Sequence, residues 1–158
     1  MNDDERGVLA ALPPHHRERL LTLARQVSIP AESKVFDEDE PAERFWILRA
    51  GRVALDFHVP GHGLAVVETL GPGELLGWSW LFEPFHWHLG ARVREEVSAY
   101  EFDATAVRGM IDLDASFGLA VTTCVAKTIG DRLRACRARL IDMYAPEDLE
   151  PARGGTFL

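Results

Sequence analysis

The chain has 158 residues, a length that suits one domain with its own core and no need of disulfides. Hydrophobic residues make up 47% and charged residues 27%, which excludes a disordered chain. Asp and Glu number 25 against 17 Lys and Arg, a net charge of −8 that repels phosphate backbones and anionic lipid, so a whole-surface nucleic-acid binder is excluded too.

The N-terminus, Met1-Asn2-Asp3-Asp4-Glu5, is acidic where a secretory signal is basic. No apolar run approaches the ~20 residues of a membrane span. The expectation is a cytoplasmic protein. Asn2 or Asp3 caps a first helix carrying Val8, Leu9 and Leu12, and Pro13-Pro14 starts a second through Leu20, Leu21, Leu23, Ala24 and Val27. The predicted helical region is 3–27.

From Ile29 to Asp103 short runs of Val, Ile, Leu, Phe and Trp alternate with Gly and Pro, the texture of short antiparallel strands closing a roll or sandwich over 29–103. Phe45–Leu48 and Val53–Phe57 read as two strands joined by a turn at Gly51, with Val53, Leu55 and Phe57 on one face. Pro60-Gly61-His62-Gly63 closes a hairpin whose returning strand is Leu64 to Leu70. Gly71-Pro72-Gly73-Glu74-Leu75-Leu76-Gly77 then interrupts the pattern with closely spaced glycines, as a tight corner requires.

Helices are predicted over 104–145. Phe117, Val121, Val125, Ile129, Leu133, Cys136, Leu140 and Met143 recur at steps of four and three, one apolar stripe on a helix of about 30 residues. So long a helix predicts a two-fold partner, with Val121, Val125, Ile129, Leu133, Cys136 and Leu140 as the homodimer interface. Cys124 and Cys136 lie 12 residues apart on it, about 18 Å of helical rise, which excludes a bond between them. The segment 146–158, with Pro151 and Gly154-Gly155, reads as a flexible tail after a single domain over 1–145.

This order of elements resembles the cyclic nucleotide-binding domain family of the catabolite-activator and fumarate-nitrate-type bacterial regulators. The matching residues are Ala31–Phe36 with Pro41-Ala42-Glu43, Trp46–Val53, Gly71–Gly77, and Ser98–Asp103 as the last strand before the helices. The resemblance implies an antiparallel β-roll with short N-terminal helices and a long C-terminal helix. It also implies a ligand site at the glycine corner, where backbone N–H groups of Gly73, Glu74, Leu75, Leu76 and Gly77 would face a cyclic phosphate. In the family a Glu directly after the second glycine takes the ribose hydroxyl and an Arg some ten residues later takes the phosphate. Here the first position is Trp78 and the second falls at His88 or Leu89, with Arg92 the nearest arginine. The family's transcription factors continue into a helix-turn-helix module, whereas this sequence ends soon after Tyr144. The resemblance thus implies a stand-alone sensor or regulatory domain, not an enzyme, that does not bind cAMP in the usual way. Arg92 or His88 would neutralise any small anionic ligand.

Trp78, Trp80, Trp87, Phe82 and Phe85 gather around that corner, either as a cage for a planar ligand or as filling for a vacated pocket. Filling makes the domain a protein-interaction module. His86 and His88 form an H-x-H that a cupin-like metal site could use, with His58, His62 or Glu95 as a third ligand, but the glycine and glutamate of cupin spacing are replaced, and no metal is expected. Arg132, Arg134, Arg137 and Arg139 suit the end of a helix better than a nucleic-acid patch. No nucleophile has a placed base.

Overall fold

The computed structural model describes residues 6–144. Two helices open it, α1 (Gly7–Ala11) and α2 (Pro14–Leu21), the second started by a proline whose missing N–H costs nothing in a first turn. The cap expected at Asn2 or Asp3 lies outside the described residues. Residues 25–27 are not helical. They begin β1 (Arg25–Ile29), which pairs antiparallel with the far end of the chain's longest ladder, Val27 opposite Ala99. Leu23, Ala24 and Val27 mimic helical spacing, but Val27 and Ile29 share a strand face, and pairing with a buried strand outweighs that weak local preference.

Strands β2 (Lys34–Phe36), β3 (Arg44–Val59), β4 (Gly63–Leu70), β5 (Leu75–Leu76) and β6 (Gly90–Asp103) complete a six-stranded antiparallel sheet. Its order is β1-β6-β3-β4, with β2 on β6 and β5 on β3. This is the β-roll that the sequence implied. One local reading is corrected: no turn separates Phe45–Leu48 from Val53–Phe57, which are parts of the single strand β3. Gly51 has φ +92°, as expected, but it sits in a run of register shifts against β6, where a Cβ would overlap the Glu96 carbonyl. The extra residue of a further shift lies in β4, at Val67, so β3 keeps its alternation: Asp56 is buried on the face of Ala54, and Phe57, on the side of Val53 and Leu55, is 44% exposed. The hairpin at Pro60–Gly63 forms as predicted, with Val59 paired to Gly63.

Alternation along β3 and β6 puts Phe45 and Ile47 on one face with their partners Phe102 and Tyr100, and further along the two strands Val53 pairs with Val93; all of these are buried. Asp103 ends β6 and caps α3 (Ala104–Leu113), its Oδ1 accepting from Ala106 N–H at 2.8 Å. A single residue, Asp114, separates α3 from α4 (Ala115–Met143), and its carboxylate accepts from Ser116 and Phe117 N–H at 3.0 and 3.1 Å. Those bonds, Phe117's first, hold the Asp114 carboxyl below its ordinary pKa against the opposing effect of burial, and its ion pair with Arg19 of α2 acts the same way.

Two compact units can be described separately, one ending at Val125 and one beginning at Ala126. In the first unit Phe117, Val121 and Val125 of α4 are core residues. In the second, the described residues are one helical segment in which Leu133 and Leu140 are 50% and 53% exposed and Asp131 pairs with Arg134 at 2.7 Å. The predicted flexible tail, 146–158, lies outside the described residues.

Candidate functional site

The glycine corner is built by its own hydrogen bonds. Gly71 N–H donates to Glu74 Oε2 at 2.6 Å, Gly73 N–H to the Leu48 carbonyl at 2.7 Å and Glu74 N–H to the Gly71 carbonyl at 3.2 Å. Leu48 N–H returns a bond to the Glu74 carbonyl at 3.0 Å. Leu75 and Leu76 are buried and pair with Ile47 and Trp46 of β3. The amides of Gly73 and Glu74, expected to face a phosphate, are therefore already used inside the protein.

Gly77 follows with φ +94°. A Cβ here would lie 2.6 Å from the Trp87 ring, so the indole occupies the space directly against the Gly77 backbone. Trp87 is 4% exposed and stacks on Phe36 with ring centres 4.1 Å apart and planes 14° apart, with Trp46 beyond at 6.5 Å. Its backbone is fixed as firmly: Trp87 N–H donates to the Glu40 carbonyl at 2.9 Å and its carbonyl accepts from Asp39 N–H at 2.8 Å. Behind the corner Trp80, fully buried on the 3-10 turn Ser79–Leu81, stacks on Phe45 at 4.1 Å and donates its indole N–H to the Gly77 carbonyl at 3.1 Å. Beneath it lies an apolar cavity of about 20 Å³, lined by residues including Leu12, Phe45, Trp80, Val121 and Val125, too small for a nucleotide.

Trp78 and His88, which the resemblance sets at or beside the family's ribose and phosphate positions, stand together. The rings of Trp78 and His88 have centres 5.9 Å apart, and Phe82 meets Trp78 edge-on at 6.1 Å. His88 and Phe82 are exposed and Trp78 is half-buried. Arg92 belongs elsewhere. Its neighbours Ala91 and Val93 are buried, so it projects from the opposite face of β6, paired to Ala54 of β3 and Lys34 of β2. Asp56, paired to Gly90, shares that face, and its carboxylate lies over the Gly90 backbone where a Cβ would overlap it. Burial pushes the Asp56 carboxyl above its ordinary pKa, with Arg92 as the chief opposing charge.

Of the residues singled out from sequence, Gly77, Trp78 and His88 come together; Gly73, Glu74, Leu75 and Leu76 form the corner's internal support; Arg92 serves the Asp56 face. His86 is not on a strand. It bridges to Pro41, and its Nδ1–H donates to the Pro84 carbonyl at 2.7 Å. Among the described residues no three His, Cys, Asp or Glu are arranged to hold a metal ion, and no helix is long and apolar enough to cross a membrane. Of the interface candidates, Val121 and Val125 are buried within the first unit, Ile129 is half-buried, and Leu133, Cys136 and Leu140 are exposed. Sequence reasoning gave Trp87 no more weight than its neighbours. Its size was the available signal: of the three residues 86–88 it has by far the most apolar surface to bury.

The sequence model of the cyclic nucleotide-binding domain matches residues 26–114. A CRP-like cAMP-activated global transcriptional regulator of Mycobacterium tuberculosis is 27% identical over 105 residues, covering 66% of this chain and 47% of the regulator. The chain thus spans about half the length of the curated relatives it matches. Among solved structures, a cyclic nucleotide-binding domain from Methylobacillus flagellatus superposes with a TM-score of 0.75 at 13% identity, over 85% of this chain and 76% of that one. The Thermus thermophilus catabolite activator protein does so with a TM-score of 0.69 at 20% identity, over 86% and 62%. At such identities the structural likeness establishes the fold alone.

Proposed function

The chain belongs to the cyclic nucleotide-binding domain family, and from that premise we propose that it is a regulatory domain which does not hold cAMP in the family's way and acts through protein contacts. The observation that carries this reading is the Trp87 indole, packed on Phe36 and against the Gly77 backbone. Trp78 and His88 support it, since neither offers the carboxylate or the guanidinium fork that the family uses at those positions. Each missing charge-assisted bond is worth about 1.5–3 kcal/mol, so the two together remove roughly two to four decades of affinity. A relative named for cAMP activation and others named as regulators favour a regulatory, non-enzymatic role.

Calorimetry of the whole chain with cAMP and with cGMP tests the reading. No saturable heat is expected up to millimolar nucleotide, and one-to-one binding in the micromolar range overturns it.

The regulatory unit in this reading is a cytoplasmic homodimer formed along α4. Ile129, Leu133, Cys136 and Leu140 follow one another at steps of four, three and four, and the last three are exposed apolar or thiol side chains. Leu133→Glu should give a monomer by light scattering; an unchanged dimer places the interface elsewhere.

A further inference from the structure

Arg108 of α3 reaches across to the segment that follows the glycine corner and holds it twice. Its Nη1 donates to the Trp80 carbonyl at 2.7 Å, and its guanidinium lies over the Phe85 ring with 4.3 Å between the guanidinium carbon and the ring centre. Nη2 stays on its own helix, 3.4 Å from Thr105 Oγ1. Both ends of this clasp are stiff. Trp80 is locked by its stack on Phe45 and its bond to the Gly77 carbonyl. Phe85 has φ +57°, a conformation costly for an aromatic residue, and is held in it by its N–H bond to the Phe82 carbonyl at 2.9 Å and by Ala42 N–H on its own carbonyl at 2.6 Å.

The other side of α3 is equally tied. Ala104 N–H donates to the Glu43 carbonyl at 2.9 Å, and at the far end only Asp114 separates α3 from α4. A Cβ at Gly118 would lie 3.0 Å from the Ile111 side chain and 3.2 Å from its carbonyl, so the first turn of α4 packs on α3 at backbone distance.

We propose that Arg108 is a coupling residue which makes segment 79–85 and α3 one cooperative unit, so that a partner or ligand displacing that segment also releases α3 and the first turn of α4. The inference rests on the reading of the chain as a regulatory domain and supplies the means by which a change at segment 79–85 reaches the helices. A planar fork that donates to a carbonyl while stacking on a ring is specific to arginine; a lysine keeps the charge but not the geometry.

Coupling is reciprocal, which distinguishes it from local support. Hydrogen exchange of the whole chain without added ligand, followed by mass spectrometry, is the test, so its outcome does not depend on whether nucleotide binds. Arg108→Met should speed exchange about tenfold in peptides covering 79–88, and Phe85→Leu should speed exchange in 104–113 by a similar factor, while the β3 and β6 ladders stay protected. The double variant should be no faster than the faster single one. If each substitution loosens only its own element, or the two effects multiply, the proposal fails. Should Arg108→Met lose protection throughout the sheet, the effect of Phe85→Leu on 104–113 decides alone.

Discussion

Gly7 against Gly73 and Gly77 against Trp87 are two close contacts made possible by missing side chains, and they differ in what fills the space. At the first, backbone meets backbone: a Cβ on Gly7 would overlap the Gly73 carbonyl, and Val8 N–H donates to that same carbonyl at 3.0 Å. At the second, backbone meets an indole that belongs to a different loop. Main chain on main chain cannot be altered without moving an element, so that contact docks α1 on the corner. A side chain can be exchanged while the strands stay where they are, so only the second place can be emptied. The glycine corner is thus packed by backbone at Gly73 and by a side chain at Gly77.

Three substitutions probe that contrast. Gly7→Ala should have the largest effect, more than about 3 kcal/mol of unfolding free energy by urea denaturation, because φ +61° and the carbonyl overlap act together and no single change elsewhere relieves them. Gly77→Ala should cost less and should depend on its neighbour. Next to Trp87 it meets both the φ +94° strain and the ring, about 2–3 kcal/mol, whereas in a Trp87→Leu background only the strain of about 1–2 kcal/mol is left. Equal costs in the two backgrounds break the comparison, since the ring would then not be what occupies the space.

The smallest effect belongs to Asp56, whose raised pKa means that the fold favours its neutral form. The sign follows: stability on this account falls as pH rises from the ordinary carboxylate range through the raised value, and the cost is fully present at neutral pH. Asp56→Asn, neutral throughout, should raise the urea midpoint slightly at pH 7 and leave it unchanged near pH 3. A variant less stable than the parent at pH 7 means that the Arg92 charge outweighs burial.

The sequence announces the parts of this fold that repeat. Period-two runs and turn glycines mark β4, β6 and the hairpin at Gly61, and the four-and-three spacing marks α4. It is misleading where one local signal serves two structures. Gly51 carries the positive φ of a turn, but the structure uses it for a bulge within one long strand, and only the partner strand distinguishes these. Val27 fits a helical period until β6 claims it. At the site, spacing from Gly77 identified Trp78 and His88, whose rings do meet. Spacing could not tell that Arg92 projects from the face of Asp56, because the side of a strand on which a residue emerges is set by register, and one bulge reverses it.

The central claim is that the Trp87 indole occupies the space beside Gly77 and leaves no room for the family's ligand. The most direct measurement is the indole N–H resonance of Trp87 in a proton–nitrogen correlation spectrum, assigned through Trp87→Phe and followed as cAMP is added to millimolar concentration. The account predicts that it stays at its starting position, and a saturable shift, with the ring displaced by nucleotide, contradicts it.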